Sequence, residues 1–114
     1  MRLHYTADDP YALRAAFHAE GHDTTVEWVF GREVLAEGLT RHAGHGDVRV
    51  WPVMGRGRDV LRIGLSSNAG SALLEASLQD MKSFLRQTQS LVPLGAESEQ
   101  LDIDTELAHF LAES

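Results

Sequence analysis

The sequence predicts an α+β fold in which an antiparallel sheet of hairpins is followed by C-terminal helices. Three observations predict it. Two pairs of apolar runs alternate with period two on either side of a short turn-forming tetrapeptide. Each pair has a register in which apolar side chains face apolar ones. From residue 77 onward the apolar spacing changes to that of a helix.

The first hairpin joins Tyr11, Leu13, Ala15 and Phe17 to Val26, Trp28 and Phe30 across Glu20-Gly21-His22-Asp23. Its register sets Phe17 opposite Val26, Ala15 opposite Trp28 and Leu13 opposite Phe30. The other face then holds Arg14 with Val29 and Ala16 with Glu27. A slip of one residue would turn Trp28 to water. Arg32 to Glu37 follows as a short helix, with Gly38 placed to end it and Leu39 closing the contact beyond. A loop runs from Thr40 to Gly46.

The second hairpin turns at Gly55-Arg56-Gly57-Arg58. It pairs Val48 with Leu65, Val50 with Ile63 and Pro52 with Leu61. Arg49, Trp51, Val53, Val60 and Arg62 take the opposite face, where Trp51 across from Arg62 suits a cation–π contact. Pro52 has no N–H to donate, so its strand belongs at an edge. Ser67-Asn68-Ala69-Gly70 turns the chain into another strand over Ala72–Ala76. Ser77 then caps a helix whose first turn holds Asp80. Leu78, Met81, Leu85, Thr88 and Val92 form its apolar stripe with Phe84 beside it, and Pro93 and Gly95 stop it. Residues 96–100 read as a polar linker. A last helix starts near Asp102 with Ile103, Leu107, Phe110 and Leu111 on its apolar face. The predicted core is therefore Leu13, Phe17, Val26, Trp28 and Phe30 from the first hairpin and Val48, Val50, Ile63 and Leu65 from the second. The helices add Leu78, Met81, Leu85, Leu107 and Phe110.

A length of 114 residues suits one domain, with strands and a short helix over 1–76 and helices over 77–114. An apolar content of 43% and a charged content of 24% place the chain among ordinary globular proteins. With no cysteine there is no disulfide framework, thiolate metal site or cysteine nucleophile. No apolar run is long enough for a membrane span, and no apolar stretch of a secretory signal follows the first residues. The net charge of −7 is uneven: −3 over 1–30, +2 over 31–66 and −6 over 67–114. Such a balance repels a phosphate backbone at long range, although the middle third keeps a basic surplus.

Several runs resemble, in order and at matching spacing, those of the SsgA-like family. Asp9-Pro10-Tyr11-Ala12-Leu13, with Phe17-His18 beyond, is similar to its opening motif. Val26-Glu27-Trp28-Val29-Phe30-Gly31-Arg32-Glu33-Val34-Leu35-Ala36-Glu37-Gly38-Leu39 is similar to the central one, and Gly46-Asp47-Val48-Arg49-Val50-Trp51-Pro52 to the third. Leu65-Ser66-Ser67, Ala72-Leu73-Leu74-Glu75-Ala76 and Phe84-Leu85-Arg86-Gln87-Thr88 continue the match. The resemblance, closest to the SsgB-like branch, implies a regulator of sporulation-associated cell division and septum formation. It implies a cytoplasmic protein at division septa, with no catalysis or cofactor, that recruits or organises the tubulin-like division protein FtsZ. It also implies a strongly twisted sheet like that of the whirly single-stranded nucleic-acid-binding proteins, assembled as a homo-oligomer, usually a trimer. Family members usually carry a further N-terminal segment with a strand, and this chain starts where the match to the shared part begins. Ser77 stands where the family has proline, and Gly31 where it has alanine.

Six histidines raise the question of a metal. His18 with His22, and His42 with His45, bring no cysteine or carboxylate at a ligand spacing, so no metal site is expected. Asp8-Asp9 and Asp102/Asp104 are explained by a turn and a helix cap, and Ser66-Ser67 has no nucleophile elbow around it. Gly55-Arg56-Gly57-Arg58 precedes no helix and is not a phosphate loop. The remaining group of interest is Arg49, Trp51 and Arg62 on one sheet face, the candidate interface for a protein partner. The same three residues support the rival reading of a single-stranded nucleic-acid binder, against which stand the acidic net charge and the presence of one tryptophan rather than several aromatics on that face.

Overall fold

The computed structural model describes residues 1–18, 24–55, 57–103 and 107. Its elements are β1 (Arg2–His4), β2 (Ala12–His18), β3 (Thr25–Gly31), α1 (Arg32–Gly38), β4 (Val48–Val53), β5 (Val60–Ser67), β6 (Gly70–Ser77) and α2 (Leu78–Leu91). Helical backbone resumes over 97–103. The fold is α+β, and the hairpins form two three-stranded antiparallel sheets, β1-β2-β3 and β4-β5-β6.

Both registers follow from the apolar alternation. Leu13 pairs with Phe30, Ala15 with Trp28 and Phe17 with Val26. Val48 pairs with Leu65, Val50 with Ile63, Pro52 with Leu61 and Trp51 with Arg62. β4 is an edge strand, as Pro52 requires. β1 is an addition to the predicted elements. It pairs Leu3 with Ala15, and three residues are too few for a period-two pattern to register. Gly70, at φ +144°, lets β6 start after a two-residue turn at Asn68-Ala69.

The two sheets and both helices share one core. Leu13, Ala15 and Phe30 meet Val50, Leu61, Ile63 and Leu65, with Leu35 and Leu39 of the α1 region at one side and Leu78, Met81 and Leu85 of α2 at another. Phe17, Val26, Trp28 and Val48 are half-buried rather than enclosed, because the sandwich opens toward the Phe17 end. Ser77 caps α2, its Oγ accepting the Asp80 N–H at 3.3 Å.

One expectation is corrected. Leu107 is not core: it is 54% exposed, and Ile103 is 59% exposed, because the segment that carries them makes its anchoring contact through Glu97. α1 ends at Gly38 as expected, with its cap at Leu39, and Gly38 does so without a positive φ. Its service is space, since a Cβ there would lie 2.9 Å from Val50 Cβ and overlap Val50 Cγ1. The predicted turn at Glu20–Asp23, Arg56, and the predicted core residue Phe110 with its neighbour Leu111 lie outside the described residues. Val50 is fully buried and has nowhere to move. Gly38→Ala therefore lowers the stability measured by denaturant unfolding by about 1–3 kcal/mol, outweighing alanine's better helix propensity.

Candidate functional site

The strand pleat places Arg49, Trp51 and Arg62 on the outer face of the second sheet. Trp51 leans across β5, its ring carbons Cζ3 and Cη2 filling the space where a side chain at Gly64 would begin, at 3.3 and 3.4 Å. The His42 imidazole, from the loop before β4, stacks on the indole with centroids 5.4 Å apart and planes 13° apart. The expected cation–π contact with Arg62 gives way to an ion pair: Arg62 Nε donates to Glu75 Oε2 at 3.3 Å. Glu75 lies directly opposite Arg62 on β6, and a carboxylate is a stronger partner for a guanidinium than a ring face. The three candidates thus share a face without converging. Trp51 is held by His42 and Gly64, Arg62 is neutralised, and exposed Arg49 makes no ion pair among the described residues. His42 and His45 gather no ligand set, and no group of three or more metal-ligating side chains occurs among the described residues.

The strongest polar constellation was not visible in the sequence. Arg32 opens α1 on the same helical stripe as Leu35 and Leu39, and its side chain is fully buried. Nη1 donates to the carbonyls of Thr88 at 3.3 Å and Val92 at 2.6 Å. Nη2 donates to Pro93 O at 3.3 Å and to Glu97 Oε1 at 2.5 Å. The last turn of α2 has no basic residue of its own, so this guanidinium from another element serves the carbonyls at its C-terminal end, Val92 O directly and Thr88 O and Pro93 O alongside the Val92 and Ala96 N–H groups. The Tyr5 ring covers the guanidinium at 4.9 Å, and its hydroxyl donates to Pro10 O at 3.0 Å. Glu97 also accepts the Gly95 N–H at 2.9 Å. The hydrogen bond from Arg32 holds the Glu97 carboxyl below the usual carboxylate range, while burial pushes the Tyr5 phenol up against the opposing pull of Arg32. The expected polar linker is thereby replaced: helix begins at residue 97 rather than near Asp102, because Glu97 is drawn into this pair. One hint was available, a charged residue at the i−3 and i−7 positions of a stripe otherwise apolar.

At the opposite end the sheets part into a cleft of about 650 Å³. Phe17, Val26 and Trp28 line one wall, and Leu65, Ala72 and Leu74 the other. His18 is the one titratable side chain in the lining among the described residues. Such a site can take up an apolar group, and among the described residues its lining holds no carboxylate.

The family model described as the Streptomyces sporulation and cell division protein SsgA matches residues 1–97. The sporulation-specific cell division protein SsgB of Streptomyces coelicolor is 54% identical over 98% of this chain and 81% of its own length. That of Thermobifida fusca is 48% identical over 97% and 80%. A solved SsgA-like sporulation-specific cell division protein from Thermobifida fusca superposes with a TM-score of 0.82 at 47% identity, over 95% of this chain and 78% of the other. A solved SsgB of Streptomyces coelicolor gives 0.79 at 52% identity, over 86% and 76%.

Two substitutions separate the roles in the buried pair. Arg32→Met leaves the Glu97 carboxylate without its guanidinium and the Val92 carbonyl without its donor, and lowers unfolding stability by about 3–5 kcal/mol. Glu97→Gln costs less and changes the pH dependence. With the folded-state carboxyl held low, Glu97 contributes its full stability above the ordinary carboxylate range and loses it as pH falls through the lowered value. Denaturant midpoints from pH 7 to 3 therefore fall less steeply for Glu97→Gln than for the parent chain.

Proposed function

This chain belongs to the SsgA family, in its SsgB-like branch, and we propose that it is a non-enzymatic adaptor of sporulation-associated cell division. Its relatives are named for a role in that division, and the match to them spans nearly the whole chain, which is the observation that carries the proposal. The adaptor works by protein–protein contact, organising division proteins at the septum, with FtsZ as the principal partner. It acts in the cytoplasm as a homo-oligomer, a trimer of whirly-like subunits. Among the described residues no helix is long and apolar enough to cross a membrane. The cleft suits a contact with another protein, because its described lining is largely apolar.

The partner-facing surface is the outer face of the second sheet. The stacked His42–Trp51 pair forms a flat aromatic platform at an edge strand, with exposed Arg49 beside it. Large aromatics and arginines are the usual anchors of such contacts. Arg62, tied to Glu75, supports the rim. A single-stranded nucleic acid is the rival ligand, since an indole between arginines can stack a base. Against it, His42 already covers one face of the indole, Glu75 cancels Arg62, and the chain carries −7 overall.

In sporulating cells a fluorescently tagged copy concentrates at septa, and Trp51→Ala disperses it while the circular dichroism of the purified variant stays unchanged. An even cytoplasmic signal from the parent chain would overturn the adaptor reading, and septal Trp51→Ala would remove this face from it. In a filter-binding titration at low salt, single-stranded DNA is not retained; salt-sensitive retention would promote the rival.

A further inference from the structure

The two edges of the second sheet are treated differently by the chain. At β4 the Ser66 N–H donates to Asp47 O at 2.9 Å, which fixes the phase of the ladder. Arg49, Trp51 and Val53 turn their main-chain groups to β5, and Val48, Val50 and Pro52 turn theirs outward. That outward side is closed. Ala43 exchanges both main-chain hydrogen bonds with Val50, at 2.7 and 2.9 Å, Gly44 lies against Val48 O, and Pro52 has no N–H to offer.

The β6 edge is open. Carried across β5, the same phase bonds Ile63 to Leu74 and Leu65 to Ala72, so the N–H and C=O groups of Ser71, Leu73 and Glu75 point away from the sheet. None of these main-chain groups has a hydrogen-bond partner among the described residues. β6 runs for eight residues without proline or lysine, no bulge interrupts its pairing, and its one charged side chain, Glu75, is drawn sideways to Arg62. The devices that blunt an edge are thus present at β4 and missing from β6. We propose that the β6 edge receives an extended segment of a partner protein as a fourth strand of the second sheet. Strand addition gives the adaptor contact proposed above its form and rests on that reading.

The neighbours of the added strand state its chemistry. Leu73 is 59% exposed and lies directly across Gly64, over which the Trp51 ring extends from the other side. An apolar side chain beside Leu73 therefore continues the aromatic platform. The Glu75 carboxylate is 54% exposed and has Arg62 on one side, which leaves the other to a lysine or arginine of the incoming strand. Ala72 and Leu74 face inward and are half-buried, so the alternate positions are apolar. The net charge of −7 favours such a basic segment over a second copy of this chain.

Proline separates the edge from the fold. The Leu73 N–H points away from β5, so Leu73→Pro leaves the ladder intact and removes the central donor of the edge. The purified variant keeps its circular dichroism and its solution mass, and a tagged copy loses the septal signal that Leu73→Thr retains. Leu73→Pro still at septa overturns the proposal. So does a solution mass that falls with the substitution, since the edge would then be held by a second copy. The second measurement needs no variant. In large excess of a blocked peptide that alternates valine with threonine and lysine, the amides of Ser71, Leu73 and Glu75 exchange at least about tenfold more slowly, and the same peptide with proline at alternate positions leaves them unchanged. Unchanged exchange at all three amides with the first peptide overturns strand addition. A parent chain that never gathers at septa overturns the adaptor reading instead, and the peptide result still decides the edge.

Discussion

The buried guanidinium of Arg32 joins parts of the chain that no strand pairing connects. Removing an arginine from water costs several kcal/mol, and that cost is offset only where its donors are met. Here a carboxylate and three main-chain carbonyls meet the two terminal nitrogens, and a tyrosine ring covers the plane; Nε alone is left without a partner. The acceptors belong to the end of α2 and the segment after it, while the arginine belongs to the helix that follows β3. One side chain therefore sets how the C-terminal helices leave the sheets. Lysine could not replace it, since an ammonium lacks the planar fork that reaches Val92, Pro93 and Glu97 together.

That joint divides the molecule by task. At the Gly31 end the polar network is closed and nearly satisfied, and it holds the helices in place. At the Phe17 end the sheets remain apart and offer apolar walls. Between them, the outer face of the second sheet carries Trp51, fixed by His42 above and Gly64 below. A tryptophan held in one orientation loses little freedom when a partner covers it, which suits an anchor in a protein contact.

What could be read from the sequence was local and periodic. Leu13, Ala15 and Phe17 against Val26, Trp28 and Phe30 allow one register that hides the large rings, and the structure adopts it. Ser77 with Asp80 three residues on is a local signal, and it is the cap observed. What could not be read depended on distance. Arg32 and Glu97 stand 65 positions apart, and each looks solvated in its own neighbourhood, so the stretch around Glu97 read as a linker. Gly38 had a plausible local use as a helix stop; its real constraint is Val50, on another strand. The Trp51–Arg62 contact failed for a related reason. Pairing β4 with β5 placed the two side by side, but β6 brought Glu75 to the far side of Arg62 and won the guanidinium. Leu107 fitted an apolar stripe in the sequence, yet periodicity does not say whether such a face is buried, and Leu107 is exposed.

The most direct test of Arg32 as the joint is amide hydrogen exchange, followed residue by residue, on the parent chain and on Arg32→Lys. Lysine keeps the charge and removes the fork. The expected result is faster exchange confined to the last turn of α2 and residues 97–103, with the amides of β2, β3, β4 and β5 keeping their protection. Unchanged protection at the α2 terminus and across 97–103 would contradict the account.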